Sequence, residues 1–189
     1  GLLNLAYETM FNAIKNISSD YADIENAKKM ALYSQAAAVI ASKAGVDGMV
    51  GGQSLDVYLT DKPMDKEQLD YIFRLKTGAL IEAAFMAGGI LAGCDEKTQG
   101  LLCKAGYNVG FAFQIKDDIL DVTSTQEVLG KPVLSDERNN KTTYVTLYGL
   151  EKAEKDTYDM SKEAMGIIKS IGHNEYLEEL INMLIHRNK

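Results

Sequence analysis

Residues 113–121 read Phe-Gln-Ile-Lys-Asp-Asp-Ile-Leu-Asp, three aspartates within five positions of a run otherwise patterned as a helix. On a helix of 3.6 residues per turn, Gln114, Asp117, Asp118 and Asp121 share an arc of roughly 100°, with Phe113, Ile115, Ile119 and Val122 outside it. Like charges one turn apart repel, so this face calls for a cation. Acid clusters on helices are commonly solvated faces. Here apolar residues crowd both flanks, and Tyr107 and Gly110 continue the stripe toward the helix start, which argues for a cleft lined by carboxylates. Hard divalent ions suit such oxygens, and magnesium binds through one or two carboxylates while keeping positions for water and phosphate oxygens.

The remaining pattern is helical. Two prolines in 189 residues, abundant Ala, Leu, Met, Glu and Lys, and few strand-like alternations predict an all-α chain. With 46% hydrophobic residues the chain can bury its core as one domain, residues 1–189. A net charge of −7 argues against a nucleic-acid partner, and charged residues interrupt every apolar run before it reaches membrane-spanning length. Cys94 and Cys103 read as reduced, buried thiols, which with the absence of a secretory signal favours the cytoplasm. Neither His173 nor His186 has a partner at metal-ligand or triad spacing.

Local signals divide the chain. The first helix begins at Gly1 without a cap or polar lead-in, which reads as the start of a fragment. From about residue 20 to 43 a small-residue helix reads as core. Four glycines between 45 and 52 mark a break, after which Gln53 and Asp56 share one side of a short helix, either as an exposed polar face or as site residues. Asp65 with Gln68 forms a capping box for a long helix to about Gly93. Within it Lys76 stands among apolar and small residues, either an anion contact or a snorkelling lysine. Asp95 with Thr98 starts the acid-bearing helix, which ends near Thr123, and Gly106 and Gly110 admit a close neighbour. The polar stretch 124–143 carries Lys131 and Lys141, solvated loop charges or a cover over a bound anion. Helical pattern returns from Thr143 to Ile171 with a soft point at Gly149, and Gly172 with Asn174 marks a stop and a new cap.

Four pieces in this order, Gly51-Gly52-Gln53-x-x-Asp56, Lys76-Thr77-Gly78, Phe113-Gln114-x-x-Asp117-Asp118-x-x-Asp121 and Gly130-Lys131 with Asp136 to Tyr144, resemble the trans-prenyl diphosphate synthases of the bacterial farnesyl or geranylgeranyl type. The resemblance covers essentially the whole chain. It implies a helical bundle of the isoprenoid synthase type and condensation of isopentenyl diphosphate with an allylic diphosphate, with Mg2+ or alternatively Mn2+ clamped between two aspartate-rich motifs. Carried over by position, Asp117, Asp118 and Asp121 become metal residues. Lys76, Lys131 and Lys141 contact the allylic diphosphate, with Gln53, Thr77 and Gln114 lining the pocket. Among these, Lys76, Asp117, Asp118 and Lys131 carry the catalytic assignment. The family's first aspartate-rich motif and its isopentenyl-diphosphate-binding basic residues have no counterpart in this sequence, so the resemblance implies missing N-terminal helices and little or no turnover by this chain alone. It further implies a homodimer of the full-length protein and a farnesyl product, with geranylgeranyl as the alternative. Two other readings are a non-catalytic helical subunit, against which the retained aspartates speak, and a terpene cyclase, whose second Asn/Ser/Glu metal motif is absent after Asp121.

Overall fold

The computed structural model describes residues 1–17, 23–124 and 142–187. Every element among them is helical: α1 (Leu2–Lys15), α2 (Ile24–Ala44), α3 (Met49–Tyr58), α4 (Lys66–Ile72), a π-helical stretch (Phe73–Gly78), α5 (Ala79–Leu91), α6 (Glu96–Thr123), α7 (Tyr144–Tyr148), α8 (Leu150–Ile171) and α9 (Glu175–His186). The described residues are all-α, as the sequence reading expects.

Most helix starts follow their caps. The Asp65 carboxylate accepts from the Gln68 N–H and the Gln68 side chain answers the Asp65 N–H, completing the capping box. Asp95 accepts from the Thr98 N–H at 2.8 Å, and Asn174 from the Leu177 N–H at 2.9 Å. Gly149, at φ +82°, breaks α7 from α8, a conformation that costs a residue with a Cβ more than it costs glycine.

At 28 residues α6 is the longest helix and the one around which the others assemble. It packs most extensively against α8 on one side and α5 on the other. Phe73, Phe111 and Tyr144 form an aromatic cluster between α6, the π turn and α7, with Leu69, Ile72, Ile115 and Ile119 around it. A second core of Ala105, Val109, Ala164, Ile168 and Ile181 joins α6 to α8 and α9.

Three expectations change. The run from Asp65 is not a uniform helix, because six residues widen into a π turn between α4 and α5. The small-residue helix α2 is mostly exposed, with only Ala36 and Ala44 buried, since its main packing is a single stripe against α5. Cys94 and Cys103 are unpaired but half-buried. Burial and then the Glu82 carboxylate push the Cys103 thiol up, away from thiolate chemistry.

Candidate active site

The site is assembled by two close helix crossings, each requiring a residue without a Cβ. Gly52 of α3 lies against the π turn, where a Cβ would press on the Lys76 backbone nitrogen and come 2.8 Å from the Leu75 carbonyl carbon. Gly110 of α6 lies against Gly78, where a Cβ would stand 2.7 Å from the Gly78 Cα. The π turn is thus held between α3 and α6. Widened turns of this kind occur frequently at functional sites.

Lys76 and Thr77 project from that turn. The Lys76 ammonium pairs with Asp56 of α3 at 2.6 Å, so the lone cation of the sequence reading has an acidic partner 20 residues earlier. Two of its three N–H donors remain for another acceptor. The Thr77 hydroxyl donates to Gln114 Oε1 at 2.8 Å, linking the Lys-Thr-Gly motif to the acid-bearing helix one turn before Asp117. Gln53, in contrast, is exposed and lines a surface depression with Met49, Val50, Ser54 and Val57.

The three aspartates meet different surroundings. Asp118 is 5% exposed and accepts from the backbone N–H of Tyr144 at 2.7 Å, which fixes the start of α7 on α6. Asp121 is also buried. Asp117 remains more open and pairs with Arg187, just beyond the end of α9, at 2.5 Å. The guanidinium lies 3.8 Å over the Phe113 ring and donates to the Phe113 carbonyl. Among the described residues no three acids, histidines or cysteines converge as a self-sufficient metal site. One or two carboxylates still suit magnesium when phosphate oxygens complete its shell. Asp117, the most open of the three acids, has the carboxylate that suits that role.

Lys131 and Lys141 lie outside the described residues. Arg187 is the residue that sequence reasoning left unassigned; its signal, a cation at the close of the last amphipathic helix, carries no hint of a partner 70 positions away. Beside the acids, burial and donation to Asp156 hold the Tyr144 phenol far above its ordinary range, so it stays protonated.

The helical bundle that brings the lysine-threonine turn against the aspartate-bearing helix has the isoprenoid synthase fold of solved geranyltransferases. Residues 5–184 match the family described as polyprenyl synthetase, and the chain belongs to that family. It is 40% identical over 152 residues to the farnesyl diphosphate synthase of Micrococcus luteus, covering 80% of this chain and 52% of that protein. To the geranylgeranyl diphosphate synthase of Cyanophora paradoxa it is 36% identical over 164 residues, covering 86% and 51%. Among solved structures, a geranyltransferase from Helicobacter pylori complexed with magnesium and isoprenyl diphosphate superposes with a TM-score of 0.73 at 28% identity, covering 96% of this chain and 56% of that one. The chain therefore spans about half the length of these relatives. No helix among the described residues is long and apolar enough to cross a membrane.

Proposed function

We propose that this chain carries the diphosphate-activating half of a prenyltransferase that condenses isopentenyl diphosphate with dimethylallyl or geranyl diphosphate to give farnesyl diphosphate. The observation that carries the reading is the Thr77–Gln114 hydrogen bond, which joins the lysine-bearing turn to the helix of Asp117 across 37 residues. A geranylgeranyl product is the second choice, since named relatives of both kinds match about equally well.

In this reading the allylic diphosphate lies between the π turn and α6. Lys76, oriented by Asp56, offers its free N–H groups to the leaving diphosphate, whose negative charge grows as the allylic carbon–oxygen bond breaks. The amide N–H2 of Gln114 stays available to phosphate oxygen because its carbonyl is taken by Thr77. A divalent ion, Mg2+ or Mn2+, supplies charge neutralisation on the diphosphate when bound, with Asp117 and Asp121 as its protein ligands and Asp118 beside them. Lys131 and Lys141 add further positive charge, and Gln53 lies on the exposed side of α3, apart from Lys76. The isopentenyl double bond then attacks the allylic carbon, and the departing diphosphate takes the proton, so no histidine base is required. The whole protein acts as a cytoplasmic homodimer, and the 189-residue chain alone turns over slowly or not at all, because its sequence holds a single Asp-Asp-x-x-Asp motif.

Titration of geranyl diphosphate into the chain with Mg2+, followed by calorimetry, tests the assignment. Saturable Mg2+-dependent binding is expected, weakened at least about tenfold by Asp117→Ala and by Lys76→Ala, since each removes a charge-assisted contact. Unchanged affinity in both variants would overturn it, as would wild-type binding that ignores Mg2+.

A further inference from the structure

Arg187 occupies an unusual seat. Its Nη2 donates to Asp117 Oδ1 at 2.5 Å and to the Phe113 carbonyl at 3.0 Å, and its Cζ lies 3.8 Å from the centre of the Phe113 ring. Its side chain is 18% exposed against 37% for Asp117, so the pair straddles the boundary between core and solvent. The cation demanded by a run of aspartates is thus present within the chain itself. One detail marks the seat as incomplete: Arg187 Nε is buried without a hydrogen-bond partner among the described residues. A buried donor left unsatisfied is destabilising, and a fixed structural staple normally avoids it.

A divalent ion bound to the Asp117 carboxylate would lie close to the guanidinium already in contact with Oδ1. Two cations held so near one another on a single carboxylate repel. We propose that Arg187 is the built-in counter-cation of Asp117, and that a divalent ion reaches the acid-bearing helix by exchanging with it. The proposal rests on the reading of Asp117 as a metal-bearing residue. It predicts weak metal binding in the absence of diphosphate, since the ion must displace a partner already bonded to carboxylate, carbonyl and ring. Exchange also reaches beyond the site. Arg187 adds a polar tie between the end of α9 and α6 to the apolar packing of Ile181 and Leu184, so metal entry loosens the last turn of that helix.

The probe is Mn2+ alone, its free concentration followed by electron paramagnetic resonance in titrations of the 189-residue chain. Arg187→Gln is expected to bind Mn2+ about three- to tenfold more tightly than wild type, the range expected when a partly exposed ion pair with a stacking contact is removed. Arg187→Lys, which keeps the charge but loses the flat fork, falls between them. In the double variant with Asp117→Asn the gain disappears. A second measurement uses the unaltered chain: saturating Mn2+ should speed amide hydrogen exchange in the last turn of α9. Binding that depends on Asp117 but is unchanged or weakened by Arg187→Gln overturns this proposal and leaves the reading of the site standing. Binding indifferent to Asp117→Asn, or none in any variant, overturns the exchange, whereas the reading of the site fails only if the titration with geranyl diphosphate and Mg2+ fails as well. Should Arg187→Gln fail to melt cooperatively, unaltered exchange rates in wild-type α9 at saturating metal overturn the proposal on their own.

Discussion

Asp117 and Asp118 are sequence neighbours whose side chains leave the helix about 100° apart, and that angle gives them separate tasks. Asp118 is buried and accepts from the Tyr144 N–H, the hydrogen bond that fixes the first turn of α7. Removing its carboxylate strands a buried amide, so Asp118→Ala should destabilise the chain by about 2–4 kcal/mol. Asp117 has an ion pair near the surface, and Asp117→Ala should change stability by less than about 1 kcal/mol. Urea unfolding of the two variants measures the difference, and equal losses would mean that Asp118 has no special structural part. The common arc of Gln114, Asp117, Asp118 and Asp121 was legible in the sequence because it depends only on the helix repeat. The partners were not, because Tyr144 and Arg187 come from 26 and 70 positions away. Periodicity fixes the direction in which a side chain leaves its own axis, but it is silent about what arrives to meet it.

At the scale of elements, glycine spacing decides how closely α6 approaches its neighbours. A Cβ at Gly110 would stand 2.7 Å from the Gly78 Cα, a backbone atom that cannot turn aside, whereas a Cβ at Gly100 of the same helix meets nothing within 4 Å. The same substitution should therefore act with opposite sign at the two positions. Gly100→Ala gains helix propensity and should stabilise by about 0.5–1 kcal/mol. Gly110→Ala gains the same propensity but overpacks the crossing, for a net loss of about 1–3 kcal/mol. It should also weaken Mg2+-dependent binding of geranyl diphosphate by shifting Thr77 away from Gln114. Thermal unfolding of the pair checks the signs, and stabilisation by both would refute the close crossing. Helix starts were readable because a cap is a local chemical event, as at Asp65, Asp95 and Asn174. The π turn was not, since nothing within Phe73–Gly78 announces a widened turn; its shape is seen only with Gly52 and Gly110 pressed against it. Alanine misled at α2 because it serves tight packing and helix propensity equally well, and here most of its alanines face outward.

For the molecule as a whole, the apolar surface of α1 is the feature its own packing leaves unexplained. The helix has no buried residue, and among the described residues it packs chiefly on α2. Leu2, Leu5 and Phe11 are 86%, 57% and 63% exposed, although their spacing places Leu2 and Leu5 one turn apart and Phe11 further along the same helix. Each such side chain recovers about 1.5–3 kcal/mol when fully buried, so a few of them brought against a second copy make a substantial contribution to association. A sequence shows which side chains are apolar, but identifying what covers Leu2, Leu5 and Phe11 requires knowing what the fold leaves open. The homodimer proposed for this protein would place α1 at its interface. Sedimentation of the 189-residue chain at micromolar concentration should then give a mass above that of the 20.8 kDa monomer. The double variant Leu5→Glu/Phe11→Glu, which puts a carboxylate at each of two exposed apolar positions of α1, should sediment as a monomer while keeping the helical content of the parent. It should also keep Asp117-dependent metal binding, because α6 and α9 build that site within one chain. A variant that sediments like the parent would remove α1 from the interface, and the exposed face would then require a partner other than a second copy.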